Sequence, residues 1–503
     1  GSGLHSAYTP SLQLVRQEAI LLEESELGVL NDDVRHCLLC GKCKPLCMTH
    51  VPRANLLYSP RNKILATGLV IEAFLYEEQT RRGVALRHFD DLNDVADHCT
   101  VCQKCLAPCP VNIDFGDVTF RMRKFLEERG KRRSAPSVKA AMAFLNTTSP
   151  RTIHLLQSLL LKWGFRGISL GHRLAKSAGL LKPRLPASTT VVPPVTQQLV
   201  ELVRRPIEVD FPRQGFREAL QLEDSSRVPI IRQSQQAESG EAIFYFPGCG
   251  SERLFSEIGL ASIAMLYRQG AQVVLPPGYL CCGYPQTSAG MAERGRKITT
   301  ENRVLFHRIA NTLNYLDIKS VVVSCGTCMD QLLKYEFELI FPGCRLLDVH
   351  EYLLEQGVSL AGATGRRYLY HDPCHSPMKS HTPLKVARQL TGSEVLLSER
   401  CCGESGTLGS SRPDIATQLR FRKSEELTAG IKALTGGTRA QPEQVRLLTS
   451  CPACQQGLMK FRNETGLQSD YIVTEMANQL LGDNWQQGFI DELREQGIER
   501  VLL

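Results

Sequence analysis

Nineteen cysteines in 503 residues, gathered into a few tight groups, constrain this chain more than any other feature. Eight form two copies of one spacing: Cys37-x2-Cys40-x2-Cys43-x3-Cys47 and Cys99-x2-Cys102-x2-Cys105-x3-Cys109. Ten more form two copies of another. The first copy is Cys249, Cys281-Cys282-Gly283 and Cys325-x2-Cys328; the second is Cys374, Cys401-Cys402-Gly403 and Cys451-x2-Cys454. Clustered cysteines at short fixed spacing read as metal sites. A disulfide framework would need an oxidising compartment, and the sequence carries no secretory leader to support one. A reducing, cytoplasmic setting is expected.

The first spacing suits a cubane of four irons and four sulfides. Soft thiolates favour such a cluster, and two-residue gaps let a tight loop wrap three of its corners. In two-cluster ferredoxins the fourth cysteine ligates the other cluster. By that rule Cys37, Cys40, Cys43 and Cys109 hold one cluster, and Cys99, Cys102, Cys105 and Cys47 the other. Structural zinc on four cysteines is the competing reading; two complete copies of this spacing weigh against it. Cys47 is followed by Met48 and Cys109 by Pro110, which leaves the first loop free to turn differently.

The second spacing supplies five thiols per copy. Adjacent cysteines fit one tetrahedral zinc poorly, because their side chains diverge unless the backbone turns sharply, as Gly283 and Gly403 permit. Five thiolates suggest a larger cluster, with a redox-active disulfide between neighbours as the weaker alternative. Cys249 and Cys374 are 125 residues apart, Cys282 and Cys402 120, and Cys328 and Cys454 126, which is economically explained by an internal duplication.

The hydrophobic pattern follows the same division. Residues 11–130 read as helical: Leu12, Leu14, Val15, Ala19, Leu22 and Leu27 recur at helix-like intervals. Thr152–Lys182 is a basic, leucine-rich helical stretch, weakened by Gly164 and Gly167. It reads as a bridge packed on its neighbours, with peripheral membrane association as the alternative. The prolines of 183–194 end the helical zone, and 195–240 reads as a polar connection. From Glu241 onward short apolar runs alternate with helices: Ile243–Phe246, Gln272–Leu275 and Ser320–Val323, then Arg367–Tyr370, Glu394–Leu397 and Val445–Leu448. That alternation predicts open, mainly parallel α/β sheets, whose ligands bind beyond the carboxyl ends of the strands.

Other residues carry less. His371 and His375 flank Cys374 and either hydrogen-bond a sulfur or cap and pack the loop. His36 and His98 precede the first two motifs and either tune a cluster or face solvent. Glu404 reads as an acid at a helix start, and Cys344, outside both repeats, as a small buried hydrophobe. The formal charge of +7 does not imply nucleic-acid binding, since bound thiolates would add negative charge. The densest basic run, 130–133, reads as a helix end or linker. No stretch reaches the length of a membrane span, and no G-x-G-x-x-G fingerprint or recognisable flavin domain is present. The chain opens Gly1-Ser2-Gly3 without Met, so an upstream region is expected.

The first eight cysteines, with a long helical insert between the motifs, resemble the helical ferredoxin module of succinate dehydrogenase-type iron–sulfur subunits. The phrases Phe246-Pro247-Gly248-Cys249-Gly250, His371-Asp372-Pro373-Cys374-His375 and Cys401-Cys402-Gly403-Glu404 resemble the duplicated cysteine-rich (CCG) domain. That domain occurs in heterodisulfide reductase, in the glycolate oxidase and lactate-utilisation iron–sulfur proteins, and in an iron–sulfur component of anaerobic glycerol-3-phosphate dehydrogenase. The resemblance covers about residues 30–460. It implies an α-helical ferredoxin module (1–130), a helical bridge and linker (131–240), and a duplicated α/β cysteine-rich domain (241–365 and 366–503). It implies metal-ligand roles for all ten cysteines of the repeats. One or two clusters, noncubane in the heterodisulfide reductase manner, would join the two [4Fe-4S] clusters.

The expected role is an electron-transfer subunit, or severed C-terminal part, of a flavin-dependent D-2-hydroxyacid dehydrogenase acting on lactate, glycolate or 2-hydroxyglutarate. FAD would sit on a partner or upstream domain, and a quinone or other carrier would accept the electrons. The alternative is a heterodisulfide reductase-like thiol/disulfide oxidoreductase.

Overall fold

The computed structural model describes residues 24–50, 59–79, 86–181, 186, 195–207, 214–233, 240–362, 364–404, 408–482 and 484–503. The expected helix through Leu12–Leu22 lies outside them. The chain divides into two compact units: residues 1–134 with 288–292, and 135–287 with 293–503.

Among its described residues the first unit is helical: Glu26–Arg35, Pro60–Gln79, Leu86–Asp97 and Phe115–Glu128. Ser25 and Asp114 accept hydrogen bonds from first-turn N–H groups, which fixes where two of these helices begin. Leu30, Val34, Ile71, Phe74, Leu92, Val95, Met122, Phe125 and Leu126 make one buried core. Each such side chain stabilises by roughly 1.5–3 kcal/mol on burial. Both four-cysteine loops lead out of helices that face this core. The basic run after the last helix is anchored: Arg132 pairs with Asp97 at 2.5 Å and Arg133 with Asp90 at 2.6 Å.

The second unit holds two sheets. The first contains β1 (Arg227–Ile231), β2 (Ala242–Phe246), β3 (Gln272–Val274), β4 (Ile318–Val323) and β5 (Arg345–Asp348). The second contains β6 (Arg367–His371), β7 (Val395–Leu397), β8 (Val445–Thr449) and β9 (Gln468–Tyr471); β10 (Ile498–Leu502) follows. In space the first sheet runs β10-β1-β3-β2-β4-β5 and the second β7-β6-β8-β9. The parallel run β3-β2-β4-β5 matches β7-β6-β8-β9 strand for strand. In each the strand order reverses between the two central strands, the place where open α/β sheets bind ligands.

The chain departs from the expected linear layout in three ways. Within 195–240 lie a helix, Val195–Arg204, and β1, whose Val228, Ile230 and Ile231 are fully buried. Pro229 and the flanking charges mask that strand in the sequence. The last strand, β10, pairs antiparallel with β1 rather than joining the second sheet, so 366–503 is not one spatial domain. Finally, β5, β9 and β10 are short and mix charges with apolar residues, which hides their period.

The stretch 152–182 is helical, built of Pro150–Leu156, a π-helical turn at Gln157–Trp163, and Gly164–Ser177. Gly164 falls where the π turn ends. One side packs: His154 contacts Glu223 at 2.8 Å, and Gln157 donates to the Arg253 carbonyl at 2.9 Å. The other leaves Leu155, Leu159, Trp163, Leu170 and Leu174 exposed, so the bridge is packed on one face only. No helix among the described residues is long and apolar enough to cross a membrane.

Candidate metal centres

The two four-cysteine loops have the same backbone. Leu39 N–H and Val101 N–H each donate to the preceding cysteine Sγ at 3.4 Å. Lys44 and Leu106 N–H close equivalent turns on Gly41 and Gln103, as do Cys47 and Cys109 on Lys44 and Leu106. His50 N–H to the Cys47 carbonyl and Asn112 N–H to the Cys109 carbonyl are both 3.2 Å. Exchanging Pro110 for Met48 therefore leaves the turn unchanged, because proline's absent N–H is not used there. Leu39, Val101 and Gln103 take left-handed backbone at φ 51°, 53° and 55°. That conformation is costly for a β-branched valine.

Cys37, Cys40, Cys43, Cys105 and Cys109 line a single cavity with Ile64, Ile113 and Phe115. Cys47 points elsewhere: its Sγ lies 3.4 Å from Thr49 Oγ1, which also receives the buried Lys63 ammonium at 2.8 Å. Lys63 also donates to the His98 carbonyl at 2.8 Å, tying the end of the first motif to the start of the second. His98 is fully buried and hydrogen-bonded to the Asp94 carbonyl at 2.8 Å, not solvent-facing; His36 is exposed. Burial pushes the Cys105 thiol up to about 12. A metal binding there must displace its proton.

In the second unit the cysteines follow the central strands. Cys249 comes after β2 and Cys325 after β4; Cys374 comes after β6 and Cys451 after β8. Cys325 and Cys451 start the helices Gly326–Leu332 and Pro452–Met459 with matching extended backbone. Behind them, Tyr245 hydroxyl meets Ser324 Oγ at 2.8 Å, and Tyr370 hydroxyl meets Ser450 Oγ at 3.0 Å. Gly283 and Gly403, at φ 89° and 79°, make the sharp turn after each cysteine pair.

The repeats face one another reciprocally. A Cβ on Gly326 would overlap the His375 carbonyl, and one on Gly250 would overlap the Pro452 ring. Thus the residue after the first cysteine of each Cys-x2-Cys meets the residue after the lone cysteine of the other repeat. Cys325 and Cys451 are thereby brought into hydrogen-bonding contact, and the neighbouring thiols push the Cys325 ionisation well down and that of Cys451 up. Cys281 Sγ lies 3.8 Å from Cys249 Sγ, and Cys402 Sγ 3.5 Å from Cys454 Sγ. Cys282 contacts Cys328, and Cys401 contacts Cys374. None of the ten cysteines of the repeats is joined in a disulfide. Cys344 stands apart, half-buried against the core, its thiol pushed up to about 11 by burial.

This donor set fits iron–sulfur clusters. Soft thiols gather in sets, nearly all buried in the repeats and partly exposed in the first unit, and backbone N–H groups of Leu39, Val101, Ile113 and Gly403 point at sulfur, favouring the thiolate. The surroundings of the repeats differ. Beside the first, Asn302 donates to the Cys281 carbonyl at 2.8 Å and Tyr335 to the Cys282 carbonyl at 3.0 Å. Beside the second lie charges that the sequence pattern did not reveal. Lys423 is fully buried and pairs with Glu426 at 2.8 Å. Glu404 is gripped by Arg420 at 2.6 Å and by Lys460. His375 bridges Asp330 and the Tyr284 hydroxyl, the latter at 3.0 Å. Only the spacing of these residues from the cysteines hinted at such roles, because their partners come from remote helices.

Comparison with known families agrees with this division. A 4Fe-4S dicluster domain matches residues 33–113, and the cysteine-rich domain matches 243–333 and 368–458. A domain of unknown function matches 459–503. The probable glycolate oxidase iron–sulfur subunit of Bacillus subtilis is 21% identical over 89% of this chain and 94% of its own length. A fumarate reductase (CoM/CoB) component of Methanothermobacter marburgensis is 27% identical over 45% of this chain and 44% of its own length. An uncharacterized iron–sulfur protein of Methanococcus maripaludis is 26% identical over 47% and 46%. The chain thus spans about half the length of the two archaeal relatives. The chain thus joins a 4Fe-4S dicluster domain to two copies of the cysteine-rich (CCG) domain, and it is an oxidoreductase component similar to the iron–sulfur proteins that share them.

Proposed function

We propose that this chain relays single electrons from a flavin-dependent D-2-hydroxyacid dehydrogenase, on a partner or an upstream domain, to a quinone or other carrier. The substrate class is that of lactate, glycolate and 2-hydroxyglutarate. The observation that carries the reading is the gathering of cysteines into closely spaced sets: five around one cavity between two matching loops of the helical unit, and two reciprocal groups at the strand ends of a duplicated α/β domain. The Bacillus subtilis relative, matched along most of both chains, is a probable glycolate oxidase iron–sulfur subunit, which supports the choice of substrate class.

In this reading Cys37, Cys40, Cys43 and Cys109 hold one [4Fe-4S] cluster and Cys99, Cys102, Cys105 and Cys47 the second. Cys249, Cys281, Cys282, Cys325 and Cys328 hold a third centre, and Cys374, Cys401, Cys402, Cys451 and Cys454 a fourth. Bound clusters supply one-electron acceptance, which a two-electron flavin donor requires of its partner. The chain's own residues bury most of the sulfurs of the repeats, aim N–H groups at sulfur, and use Lys63 to fix one loop against the other.

The juxtaposition of Cys325 and Cys451 also supports a second reading, a heterodisulfide reductase-like thiol/disulfide oxidoreductase with its active site between the repeats. Anaerobic reconstitution with iron and sulfide tests the first point. A chain that stays colourless sinks both readings. Reduced, loaded chain mixed with a disulfide and no flavoprotein separates them: turnover favours the second, and oxidation only by a carrier such as a quinone favours the relay.

A further inference from the structure

The duplicated halves differ at one position that faces the sulfurs. Three residues before the lone cysteine the first repeat has Phe246 and the second has His371. Both are buried at the carboxyl end of a central strand. His371 is 1% exposed, and one of its ring nitrogens lies with Cys402 Sγ and Cys454 Sγ in a group whose members are all within 4.8 Å of one another.

The hydrogen bonds around the ring fix its tautomer. His371 Nδ1 lies 3.1 Å from the Ser398 carbonyl. A carbonyl only accepts, so this contact places the ring proton on Nδ1. Lys423 Nζ lies 3.2 Å from the same Nδ1, but its three protons have other acceptors: Ser398 Oγ at 2.5 Å, Glu426 Oε2 at 2.8 Å and the Ser398 carbonyl at 3.3 Å. With Nδ1 protonated, Nε2 carries a bare lone pair, and it is buried without a hydrogen-bond partner. An imidazole lone pair facing the buried Cys402 and Cys454 sulfurs takes either the Cys402 thiol proton or a metal cation, and once the sulfurs bind metal as thiolates the cation stands where the proton was. A metal-bound histidine characteristically donates its other ring N–H to a backbone carbonyl, which is the arrangement at Ser398.

We propose that His371 is a metal ligand through Nε2, adding an imidazole to the cysteines of the second repeat, whereas the first repeat is ligated by cysteine alone. The duplication has thus produced two unlike centres. The iron that His371 ligates has a neutral nitrogen donor where the first centre has only thiolates, so the two centres differ in reduction potential. Lys423 and Glu426 are positioning residues: they occupy the Ser398 hydroxyl and keep the Nδ1 proton on the carbonyl.

The inference rests on the cluster reading of the repeats, and its test separates the two. The full chain is reconstituted anaerobically, reduced, and studied by pulsed electron paramagnetic resonance, with natural-abundance histidine and with [15N]histidine. The expected result is a nitrogen coupling of directly coordinated size at one centre, converted to the 15N pattern by the label and lost in His371→Phe. His371→Phe copies the first repeat, and circular dichroism of that variant reports its folding. A loaded wild-type chain with no such coupling, with only the weak coupling of an N–H···S contact, or with a coupling that survives in His371→Phe overturns the assignment. The wild-type measurement needs no variant, so a folding failure leaves the test intact. A chain that takes up no iron overturns the cluster reading itself, and this assignment with it.

Discussion

Gly326→Ala tests whether the repeats truly meet at their cysteine ends. A Cβ there would lie 1.6 Å from the His375 carbonyl oxygen and 2.8 Å from its carbon. The obstacle is backbone, so no rotamer change relieves it. Gly326 is not among the positive-φ residues, so the substitution adds volume without adding dihedral strain. The strands would have to part by about 1.5 Å to reach an ordinary contact, at a point where both flanking segments adjoin the buried carboxyl ends of β4 and β6. Overpacking a dense core costs about 1–3 kcal/mol and occasionally more; backbone against backbone belongs at the top, near 3 kcal/mol. At roughly 2 °C per kcal/mol for a unit this large, the melting temperature should fall by about 6 °C. Gly488→Ala is the control. It sits in the helix Trp485–Glu492 with nothing within 4 Å, and should stabilise by about 1 kcal/mol. Calorimetry of the full chain and its iron content after reconstitution provide the two readouts. Iron content should fall too, because Cys325 is the adjacent residue and its contact with Cys451 would open. Gly326→Ala melting within about 1 °C of wild type, with iron content unchanged, would refute the reciprocal packing.

Other substitutions probe the buried charges. Lys63→Met removes the ammonium shared by Thr49 and the His98 carbonyl, and should cost about 2–3 kcal/mol in urea titrations followed by helical circular dichroism. Glu404→Gln leaves Arg420 and Lys460 together without a counter-charge, so a loss of about 3 kcal/mol is expected in the same assay. Burial pushes Glu257 up to about 7 from 4.5, so the folded chain holds a proton that the unfolded chain releases. Its contribution to stability is therefore best below pH 4.5, declines as the pH rises to about 7, and is flat beyond. The loss amounts to at most about 3 kcal/mol. Glu257→Gln should flatten that stretch of the curve and raise the denaturation midpoint at pH 8 more than at pH 5.

What the sequence determined by itself was chemistry with short-range causes. The turns that wrap sulfurs depend on gaps of two or three residues, so Cys37–Cys47 and Cys99–Cys109 announced matching loops, and the structure gives them matching hydrogen bonds. The strands of the repeats were legible because buried parallel strands are nearly continuous apolar runs, and the offsets between cysteines revealed the duplication. Tertiary structure decided what depends on partners far apart in sequence. Strand β1 was hidden because Pro229 and edge charges break its pattern, and β10 because its partner lies about 270 residues upstream. The fit of Gly326 against His375 and of Gly250 against Pro452 needs two surfaces at once, and neither surface has a periodic signature. The difference between Phe246 and His371 was visible as two letters. Its meaning appeared only when helix Pro413–Thr435 brought Lys423 to the Ser398 carbonyl and Glu426 to its hydroxyl, and left one ring nitrogen facing two sulfurs.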